Sequence, residues 1–565
     1  MKIFLNKKNI SEKTNIELNK IAIKNRKIFT KIISDLYKNN QNNLDWFVSL
    51  PLSRATSNSN FFFDFCKIIY VKNLFESNHN ITEIIVDSKP LEDIFKKLAI
   101  NKITNISRVQ KIFPLDLWYI KIILYFFYQT YFKLIQLFIC KLTQKNKINI
   151  KKIPLILIET FVSSNFIKQD RYYTGLWKKI SKKNKRFIFF IPFIIMTKLS
   201  EMRKLYISIR NSEENYLIKE DYLSIFDIIY ASSYCIRIFF LKYKPLIYDK
   251  IDLTPLVRNE LISHRGCYLA IEGILNYLFF KKLKKNDIHL KLVINWWENQ
   301  ACDKGFNFGL HKFYPQTKVK GYLGYAPREL EIQVYPTHYE IFYNIVPKNI
   351  LVLGDGFIKK LKFFYNHPNI ESAPAFRFQH LWKNNKKSIN QSYFTILIPL
   401  PVLYSDSLSI LKKINNLNLN KINKKIRYWI VFHPGMQKKE KRNIINLYLN
   451  KKMVINNKKT ENLLRHSNIV CTSHSSVALE AISLNIPAII INKKSGINFN
   501  PIPEEIPKTM FRISNNLKEI NSSIEYFYFN KNEKINDLFK LSKEIKKRYF
   551  EKINQRNIIK FLDID

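Results

Sequence analysis

Glycine is scarce in this chain: it accounts for eleven of 565 residues, and eight of the eleven lie between residues 266 and 356. The stretches WWENQACDKG, KGYLGYAP and LGDG in this window match neither a P-loop nor the GxGxxG dinucleotide fingerprint. The usual sequence signals for ATPases and dinucleotide-dependent enzymes are therefore missing. Because glycine serves where a backbone turns sharply or approaches a ligand, we expect this window to be rich in loops.

Cysteine is also rare, and its pattern argues against structural cross-links. The chain has no CxxC pair and no histidine at ligand spacing from a cysteine, which argues against a zinc site and a disulfide framework. The N-terminal stretch MKIFLNKKNISEKTN lacks the apolar core of a signal peptide, so we expect a cytoplasmic protein. The six cysteines are Cys66, Cys140, Cys235, Cys267, Cys302 and Cys471.

Acidic residues are few relative to basic ones, 45 against 93, which gives a formal net charge of +48. Such a balance is typical of proteins that bind nucleic acid or an anionic membrane surface. Lys, Asn, Ile and Phe are inflated together, however, as in proteins from AT-rich genomes. The basic runs SKKNKR, KKLKK and KKEKR lie far apart and contain no aromatic residues for base stacking. We therefore expect no nucleic-acid partner.

Strand-like and helix-like segments alternate along most of the chain. Apolar runs such as PLILIETF, RFIFFIPFII and HLKLVINWW form one block, and YFTILIPL and RYWIVFHP begin a second. Short strands are also predicted at residues 45–49 and 82–87. This alternation predicts an α/β fold with two Rossmann-like domains facing a cleft, which binds ligands at the carboxyl ends of its strands. We place the first domain at residues 1–345 and the second at 346–565.

The stretch CTSHSSVALEAISLNIPAIIIN, residues 471–492, combines a strand, a hydroxyl cluster and a helix start. A strand ending at Cys471 would deliver the following hydroxyls to the edge of the sheet, and Pro487 would stop the helix. Backbone amides and serine hydroxyls at such a place favour an anion. Glu480, one turn into the helix, could accept hydrogen bonds from a sugar. In the alternative, Ser476 only caps the helix and Glu480 faces solvent.

A second strand, in RYWIVFHPGM, ends at His433-Pro434, one strand-helix unit upstream of the hydroxyl cluster. A histidine after a strand is often structural. Beside a phosphate-like site it can donate to the same anion. The pair suits a leaving nucleoside monophosphate or diphosphate, whose growing charge must be stabilised without a Gly-rich loop.

These two motifs resemble the donor half of GT-B glycosyltransferases. The wider motif order resembles that of bacterial surface carbohydrate biosynthesis proteins, which act in O-antigen, capsule and lipopolysaccharide synthesis. The resemblance implies an N-terminal acceptor domain, a C-terminal nucleotide-sugar domain, no obligatory metal and no cofactor besides the nucleotide-sugar co-substrate. The other matching motifs are DWFVSLPLSRATSNS, DRYYTGLW, WWENQ, GYLGY, VYPTHYE, VPKNILVLGDG and APAFRFQHL.

The same resemblance implies roles on the donor side. His433, Ser475 and Ser476 would hold the donor phosphate, and Glu480 would hold the ribose. Similar motifs grip CMP in sialyl- and Kdo-type transferases, so a CMP-activated nonulosonic acid is favoured over a UDP- or GDP-sugar. Arg377, in FRFQH, contacts the phosphate or else pairs locally. The donor-side candidates are His433, Thr472, Ser473, Ser475, Ser476, Glu480 and Arg377.

Transfer also needs a base that deprotonates the acceptor hydroxyl from across the cleft. Glu298 directly follows the strand LVINWW and is our first candidate, although a solvent-facing or Lys-paired acid would fit the same position. Asp170, Asp303 and Glu159 are rivals. Asp355, between two glycines, marks a crossing between domains better than a catalytic position.

Three functions remain open at this stage. The chain is a glycosyltransferase that extends a surface polysaccharide or lipopolysaccharide, a non-catalytic protein that binds a polysaccharide or lipid carrier, or a sugar-nucleotide epimerase. The four residues His433, Ser475, Ser476 and Glu480 favour the enzyme, because a bare scaffold has no need of them together. The helical insertion and the extra N-terminal length argue against the epimerase.

The most apolar segment, residues 115–142, is a helical insertion of the first domain. It is long enough to cross a bilayer, but Lys121, Gln129, Lys133 and Gln136 interrupt it. These four fall mostly on one side of a helix and leave a wide apolar arc. The pattern predicts a helix lying in the membrane interface at the inner face of the cytoplasmic membrane, near a glycan or lipid-linked acceptor. The alternative is a helix pair buried against the first domain.

Overall fold

A computed structural model describes residues 1–38, 40–77, 79–100, 104–109, 118–144, 153–164, 171–195, 197–367, 369–383, 392–448, 453–530 and 535–564. These residues form two large parallel sheets, a small parallel sheet near the N-terminus and a two-stranded hairpin. The candidate residue Asp170 and residues 115–117 of the insertion lie outside the described residues.

The small sheet has the strand order β1-β2-β3, with β1 (Lys2–Phe4), β2 (Glu83–Val86) and β3 (Asn105–Arg108). It confirms the strand predicted at residues 82–87. The strand predicted at residues 45–49 is wrong: Asn43 accepts hydrogen bonds from the amides of Asp45 and Trp46 and so starts a helix instead. The helices of this region are α1 (Glu12–Lys38), α2 (Leu44–Phe47), α3 (Leu50–Ser53), α4 (Phe61–Glu76) and α5 (Lys89–Leu98).

The first large sheet contains six parallel strands in the order β11-β10-β9-β8-β4-β5. Its central strands are buried along most of their length, as expected for a sheet covered on both faces. The predicted boundary after residue 345 falls inside this sheet, because β10 pairs in register with β9. The strands are β4 (Leu155–Val162), β5 (Ile188–Ile194), β6 (Ile247–Tyr248) and β7 (Ile251–Asp252) of the hairpin, β8 (Leu290–Trp296), β9 (Lys318–Leu323), β10 (Asn349–Val352) and β11 (Ile370–Ser372).

The second large sheet also contains six parallel strands, in the order β14-β13-β12-β15-β16-β17. The predicted fold class is therefore confirmed: the chain is α/β, with two Rossmann-like units facing a cleft. Because β12 lies between β13 and β15, the strands carrying His433 and the hydroxyl cluster are not direct neighbours. The strands are β12 (Tyr393–Pro399), β13 (Lys425–Val431), β14 (Met453–Ile455), β15 (Ile469–Thr472), β16 (Ala488–Ile491) and β17 (Phe511–Ser514).

Helices cover both sheets. Between Trp118 and Leu361 they are α6 (Trp118–Leu142), α7 (Leu176–Lys179), α8 (Lys182–Lys185), α9 (Leu199–Arg210), α10 (Ile225–Ser232), α11 (Tyr234–Arg237), α12 (Thr254–Leu261), α13 (His264–Lys285), α14 (Ala301–Phe313), α15 (His338–Phe342) and α16 (Ile358–Leu361). Beyond β12 they are α17 (Tyr404–Asn415), α18 (Lys438–Tyr448), α19 (Thr460–Leu464), α20 (Val477–Ile482), α21 (Leu517–Phe529), α22 (Ile535–Tyr549) and α23 (Gln555–Leu562). Short 3-10 helices lie at Lys219–Asp221, Ile238–Phe240, Ile332–Val334, Asp355–Phe357 and Phe376–Trp382.

The last two helices, α22 and α23, return from the second unit to the first. Lys320 on β9 donates to the carbonyl oxygens of Lys560 and Phe561, at 2.9 Å each, and to Asp563 at 2.7 Å. A Cβ on Gly354 would lie 2.5 Å from the carbonyl oxygen of Arg548. The glycines around Asp355 therefore admit the C-terminal helices to the first unit.

Four glycines of the window between residues 266 and 356 lie inside helices rather than loops, and this corrects the loop prediction. Gly273 on α13 faces Gly305 on α14, where a Cβ on Gly305 would lie 2.1 Å from the Gly273 carbonyl oxygen. Gly309 meets the backbone of Tyr277 in the same way, at 2.8 Å. These glycines let two helices approach at backbone distance, which anchors the loop before α14 where Glu298 lies.

Helix α6 is a single long helix, so the alternative of a buried helix pair is wrong for the described part of this segment. Gln129, Lys133 and Gln136 point into the protein, where each is buried. Many of the apolar residues face outward instead. The polar stripe of this segment therefore faces the protein, and the prediction that the helix lies in a membrane interface stays a prediction. Only Lys121 of the predicted stripe is exposed.

Candidate active site

Glu298 lies at the carboxyl edge of the first large sheet, two residues after β8. Its side chain is half-buried, and its Oε1 accepts a hydrogen bond from Trp296 Nε1 at 3.0 Å. Burial raises the pKa of Glu298 to about 7, although the Trp296 hydrogen bond opposes the shift. A carboxyl with this pKa is poised to accept a proton at neutral pH.

Asp303 is a structural residue that shapes the loop of Glu298. Its Oδ2 accepts hydrogen bonds from the backbone amides of Glu298, at 3.0 Å, and Gln300, at 2.9 Å. This is how an acid in the first turn of a helix caps that helix, here α14. Because Asp303 is buried and both of its oxygens face protein donors, it cannot reach an acceptor substrate directly.

Glu159 lies behind Asp303 in the core. Strand β4 runs three residues beyond it, so Glu159 lies within the strand and not at its carboxyl end, which argues against it as the base. Asn295 donates to Glu159 and, at 3.4 Å, to Asp303, and so holds the two acids in one network. Burial raises the pKa of both carboxyls. Asp355, by contrast, is exposed. Its negative charge contributes to the raised pKa values of Glu551 and Lys560 near the C-terminus.

Arg377 lies on the 3-10 helix Phe376–Trp382 of the first unit and is half-buried. Its guanidinium stands 5.5 Å from the centre of the Tyr172 ring. Its positive charge acts in two directions: it opposes the rise in the pKa of Glu298 and helps to lower that of His433 on the second unit. Among the described residues, no carboxylate lies within ion-pair distance of Arg377, so local pairing does not account for it.

His433 follows β13 at the edge of the second sheet. Its Nδ1 accepts a hydrogen bond from the Gly435 amide at 3.0 Å, so the neutral ring carries its proton on Nε2. Burial, together with the charges of Arg171 and Arg377, lowers the pKa of His433 to about 4. At neutral pH the residue is therefore an uncharged hydrogen-bond donor between two arginines.

The hydroxyl cluster after β15 divides into engaged and available groups. Thr472 is not an anion donor as predicted, because its buried hydroxyl donates to the Pro399 carbonyl oxygen at 3.1 Å. Ser473 lies 3.2 Å from His474 Nδ1. Ser475 accepts a hydrogen bond from the Val477 amide at 3.3 Å, and its own proton has no acceptor among the described residues and can be donated to a ligand.

Ser476 and Glu480 bond to each other. The Ser476 hydroxyl donates to Glu480 Oε1 at 3.1 Å and makes no side-chain cap of α20, so the capping alternative is wrong. Glu480 is buried rather than solvent-facing, and its Oε2 lies 3.0 Å from His380 Nε2 on the first unit. This contact joins the two units beside Arg377. Glu480 can reach a ribose only by sharing these partners.

Three cleft residues were missed at the sequence level. Arg328, after β9, makes hydrogen bonds of 2.9 and 2.5 Å to Glu331 and donates to the His474 carbonyl oxygen at 3.3 Å. Burial and the charge of Arg377 lower the pKa of Arg171, and the charge of Arg171 helps to lower the pKa of His433. His474 stands among the serines and was a visible signal, and Arg171 directly follows the candidate Asp170.

The charge of Arg377 thus connects Glu298 of the first unit with His433 of the second, and the contact between His380 and Glu480 joins the same two units. Such an arrangement can bind an anion between arginines and neutral donors while a carboxylate accepts a proton nearby. Among the described residues, no group of three or more histidines, cysteines or acids is placed to hold a metal ion. The absence of a metal requirement stays a prediction.

No known protein-family model matches the sequence of this chain. No curated protein matches it in sequence either.

A comparison with solved structures found similar chains. The chain is similar to the UDP-GlcNAc 2-epimerase from Neisseria meningitidis bound to UDP-GlcNAc, with 12% identity, a TM-score of 0.41 and coverage of 72% of this chain and 99% of the other. It is similar to S. aureus MnaA in a structure with UDP, with 10% identity, a TM-score of 0.40 and coverage of 73% and 95%. It is also similar to the lipopolysaccharide outer core galactosyltransferase WaaB, with 10% identity, a TM-score of 0.40 and coverage of 72% and 98%.

Proposed function

We propose that this protein is a glycosyltransferase that moves a sugar from a nucleotide-sugar donor to a surface glycan or lipid-linked acceptor. One observation carries the proposal: the charge of Arg377 contributes to lowering the pKa of Glu298 on the first unit and that of His433 on the second, so it lies near both. A proton acceptor and an anion site thus share one cleft. Two observations on the described residues support the anion site: Arg377 has no carboxylate within ion-pair distance among them, and the Ser475 hydroxyl accepts a hydrogen bond and can donate its own proton.

In the proposed reaction, Glu298 takes the proton of an acceptor hydroxyl, whose oxygen attacks the anomeric carbon of the donor. The bond between that carbon and the phosphate oxygen breaks, and negative charge builds on the leaving phosphate. Arg171, Arg377, the Nε2–H of His433 and the Ser475 hydroxyl stabilise this charge. Protein cations thus serve where other transferases use a divalent metal.

Two arginines beside one histidine also suit a donor with more than one negative group. A CMP-activated nonulosonic acid has a carboxylate and a phosphate, and a UDP- or GDP-sugar has two phosphates, so this feature fits both. The CMP-activated nonulosonic acid remains our preferred donor because of the motif resemblance alone.

The test is thermal unfolding with CMP-, UDP- and GDP-sugars, with and without a chelator, because a ligand of the folded state raises the melting temperature. One donor class should stabilise the protein with or without the chelator. Arg377→Ala should abolish the shift. Arg512→Ala is the matched control, because Arg512 is also half-buried and stacks on a tyrosine, Tyr526, but on edge strand β17.

Incubation of the protein with the stabilising donor then separates the alternatives. Nucleotide released only with an acceptor supports transfer, whereas a sugar isomer formed without an acceptor indicates an epimerase. Binding without either product indicates a non-catalytic binding protein. Absence of stabilisation by any nucleotide sugar contradicts the proposal.

A further inference from the structure

Helix α6 has its polar side inside and its apolar side outside. Lys133 is ion-paired with Glu272 in the interior, and Gln136 donates to Glu220 at 2.7 Å. On the opposite side, four large side chains are each 62 to 63% exposed: Leu124, Phe127, Tyr131 and Phe138. An ordinary surface helix of a soluble protein has the reverse arrangement.

A second exposed strip runs beside α6, from α10 to the 3-10 helix Ile238–Phe240. Phe226 and Phe240 on this strip are 82% and 78% exposed. Helices α6 and α10 pack together on α13: Ile122 of α6 and Ile228 of α10 share one buried cluster with Ile271 of α13. Their outer sides therefore form one surface, which we call the apolar face. Contiguous exposed apolar surfaces of this kind mark interaction sites.

The charges around the apolar face indicate its partner. Residues 118–144 contain no acid, and residues 223–244 contain one, Asp227, which is buried and paired with Lys282 at 3.0 Å. Lys121 and Lys141 are exposed near the two ends of α6, about 30 Å apart by helical rise. Lys242 and Lys244 are exposed beyond the second strip. A cationic rim around an apolar centre complements an anionic bilayer.

A second copy of the chain fits this face poorly. In a two-fold symmetric pair, the same surface of each copy meets its partner, so two cationic rims would face each other without any exposed acid on these segments. The net charge of +48 adds to this repulsion. Phospholipid headgroups remove it.

We propose that the apolar face seats this protein on an anionic lipid bilayer, with α6 lying flat in the interface. By length and composition, the stretch Ile120–Leu142 of this helix could cross a membrane. Crossing would separate Lys133 and Gln136 from Glu272 and Glu220 and carry a lysine into hydrocarbon, which is costly. Lying flat keeps these bonds and places the exposed tyrosines at headgroup depth.

The docking helix is tied to the acid network of the first unit. Glu272 also pairs with Lys219, and the charge of Glu159 acts on that lysine. Burial alone would raise the pKa of Glu272, but Lys133 and Lys219 hold it at about 2. Resting on the proposed function, this places the acceptor side of the cleft beside the membrane and favours a lipid-linked acceptor.

The experiment is flotation with vesicles of phosphatidylcholine alone or mixed equally with phosphatidylglycerol, at low and high salt. The wild type should float with the mixed vesicles at low salt, and less with neutral vesicles. Phe127→Asp combined with Phe226→Asp should reduce flotation by about tenfold or more, since both changes put charge into the interface. The matched control, Phe342→Asp combined with Phe529→Asp, changes residues that are 65% and 57% exposed on α15 and α21 and should float like the wild type.

Three outcomes would overturn the proposal: a wild type that stays soluble at low salt, equal losses in both double variants, or a lipid-free dimer that the first double variant dissociates. Circular dichroism melting checks that all variants are folded. Stabilisation by nucleotide sugar should be unchanged in both double variants. Docking and the proposed function can therefore fail separately.

Discussion

The two edges of the cleft carry opposite chemistry for the same physical reason. On the first unit, burial raises the pKa of the acids, to about 7 for Glu298. On the second, burial lowers the pKa of the histidines, to about 4 for His433, and His474 shifts the same way. Burial disfavours whichever form is charged. One edge thus gains a proton acceptor near neutral pH, and the other gains uncharged donors, while the arginines between them supply positive charge.

The proton acceptor and the hydrogen-bond donors lie on different units. Glu298 is held by neighbours of its own unit, Trp296 and Asp303, and His433 by the amide of Gly435 in its own. These hydrogen bonds that hold Glu298 and His433 therefore come from within each residue's own unit. The arginines connect the edges, because Arg328 reaches the His474 carbonyl oxygen and Arg377 acts on both Glu298 and His433.

The largest effect is expected from removing the proton acceptor. Glu298→Gln should lower the transfer rate by about 10²- to 10⁴-fold, the usual contribution of a general base. Nucleotide-sugar stabilisation should remain, because Glu298 is not among the groups proposed to hold the donor phosphate. The measurement is turnover at saturating donor alongside thermal unfolding. Glu525→Gln, a half-buried acid on α21 paired with Lys421, is the control. If the Glu298→Gln variant stays fully active, Glu298 is not the base.

A smaller effect should separate the two serines of the other edge. Ser475→Ala should lower turnover by about a hundredfold, because one donor to the leaving phosphate contributes roughly 2–4 kcal/mol in the transition state. Ser476→Ala should cost less, since its hydroxyl already donates to Glu480. Thr472→Val should lower the melting temperature without this loss of turnover. Equal turnover losses for Ser475→Ala and Ser476→Ala would contradict the prediction that only the Ser475 hydroxyl is available to the phosphate.

The pH dependence of turnover should follow the ionisation of Glu298 alone. Glu298 accepts a proton only as a carboxylate, so turnover should rise with pH through its pKa of about 7 and then level off. His433, with a pKa of about 4, is already neutral there and should add no second limb. The measurement is a pH profile of turnover at saturating donor. A fall in turnover between pH 7 and 9 would contradict this assignment.

The smallest effect concerns stability. A pKa raised by folding means that the protonated carboxyl is favoured in the folded state, so its stabilising contribution is complete at low pH and is lost as pH rises through 7. Glu298→Gln should therefore raise the melting temperature at pH 8 and change it little at pH 5. Thermal unfolding at both values tests this. An equal change at both would show that packing, and not ionisation, distinguishes the variants.

Much of the fold could be predicted because it is written in local patterns. Buried parallel strands are continuous apolar runs, so PLILIETF, HLKLVINWW and RYWIVFHP each showed its strand. Strand ends also located Glu298 and His433. The short segment at residues 45–49 misled because its apolar run is too short to separate strand from helix, and a hydrogen-bonded cap at Asn43 decided the matter.

By itself, then, the sequence determined two parallel α/β units and the polar residues at their strand ends, since periodicity and strand termination are local. Only the tertiary structure decided which of those residues are already hydrogen-bonded within the protein. Thr472 donates to the Pro399 carbonyl oxygen, and Asp303 accepts from the backbone amide of Glu298. The tertiary structure also decided which way α6 faces. Lys133 and Gln136 turn inward because Glu272 and Glu220, 139 and 84 residues away, satisfy them there, and no local pattern contains those partners.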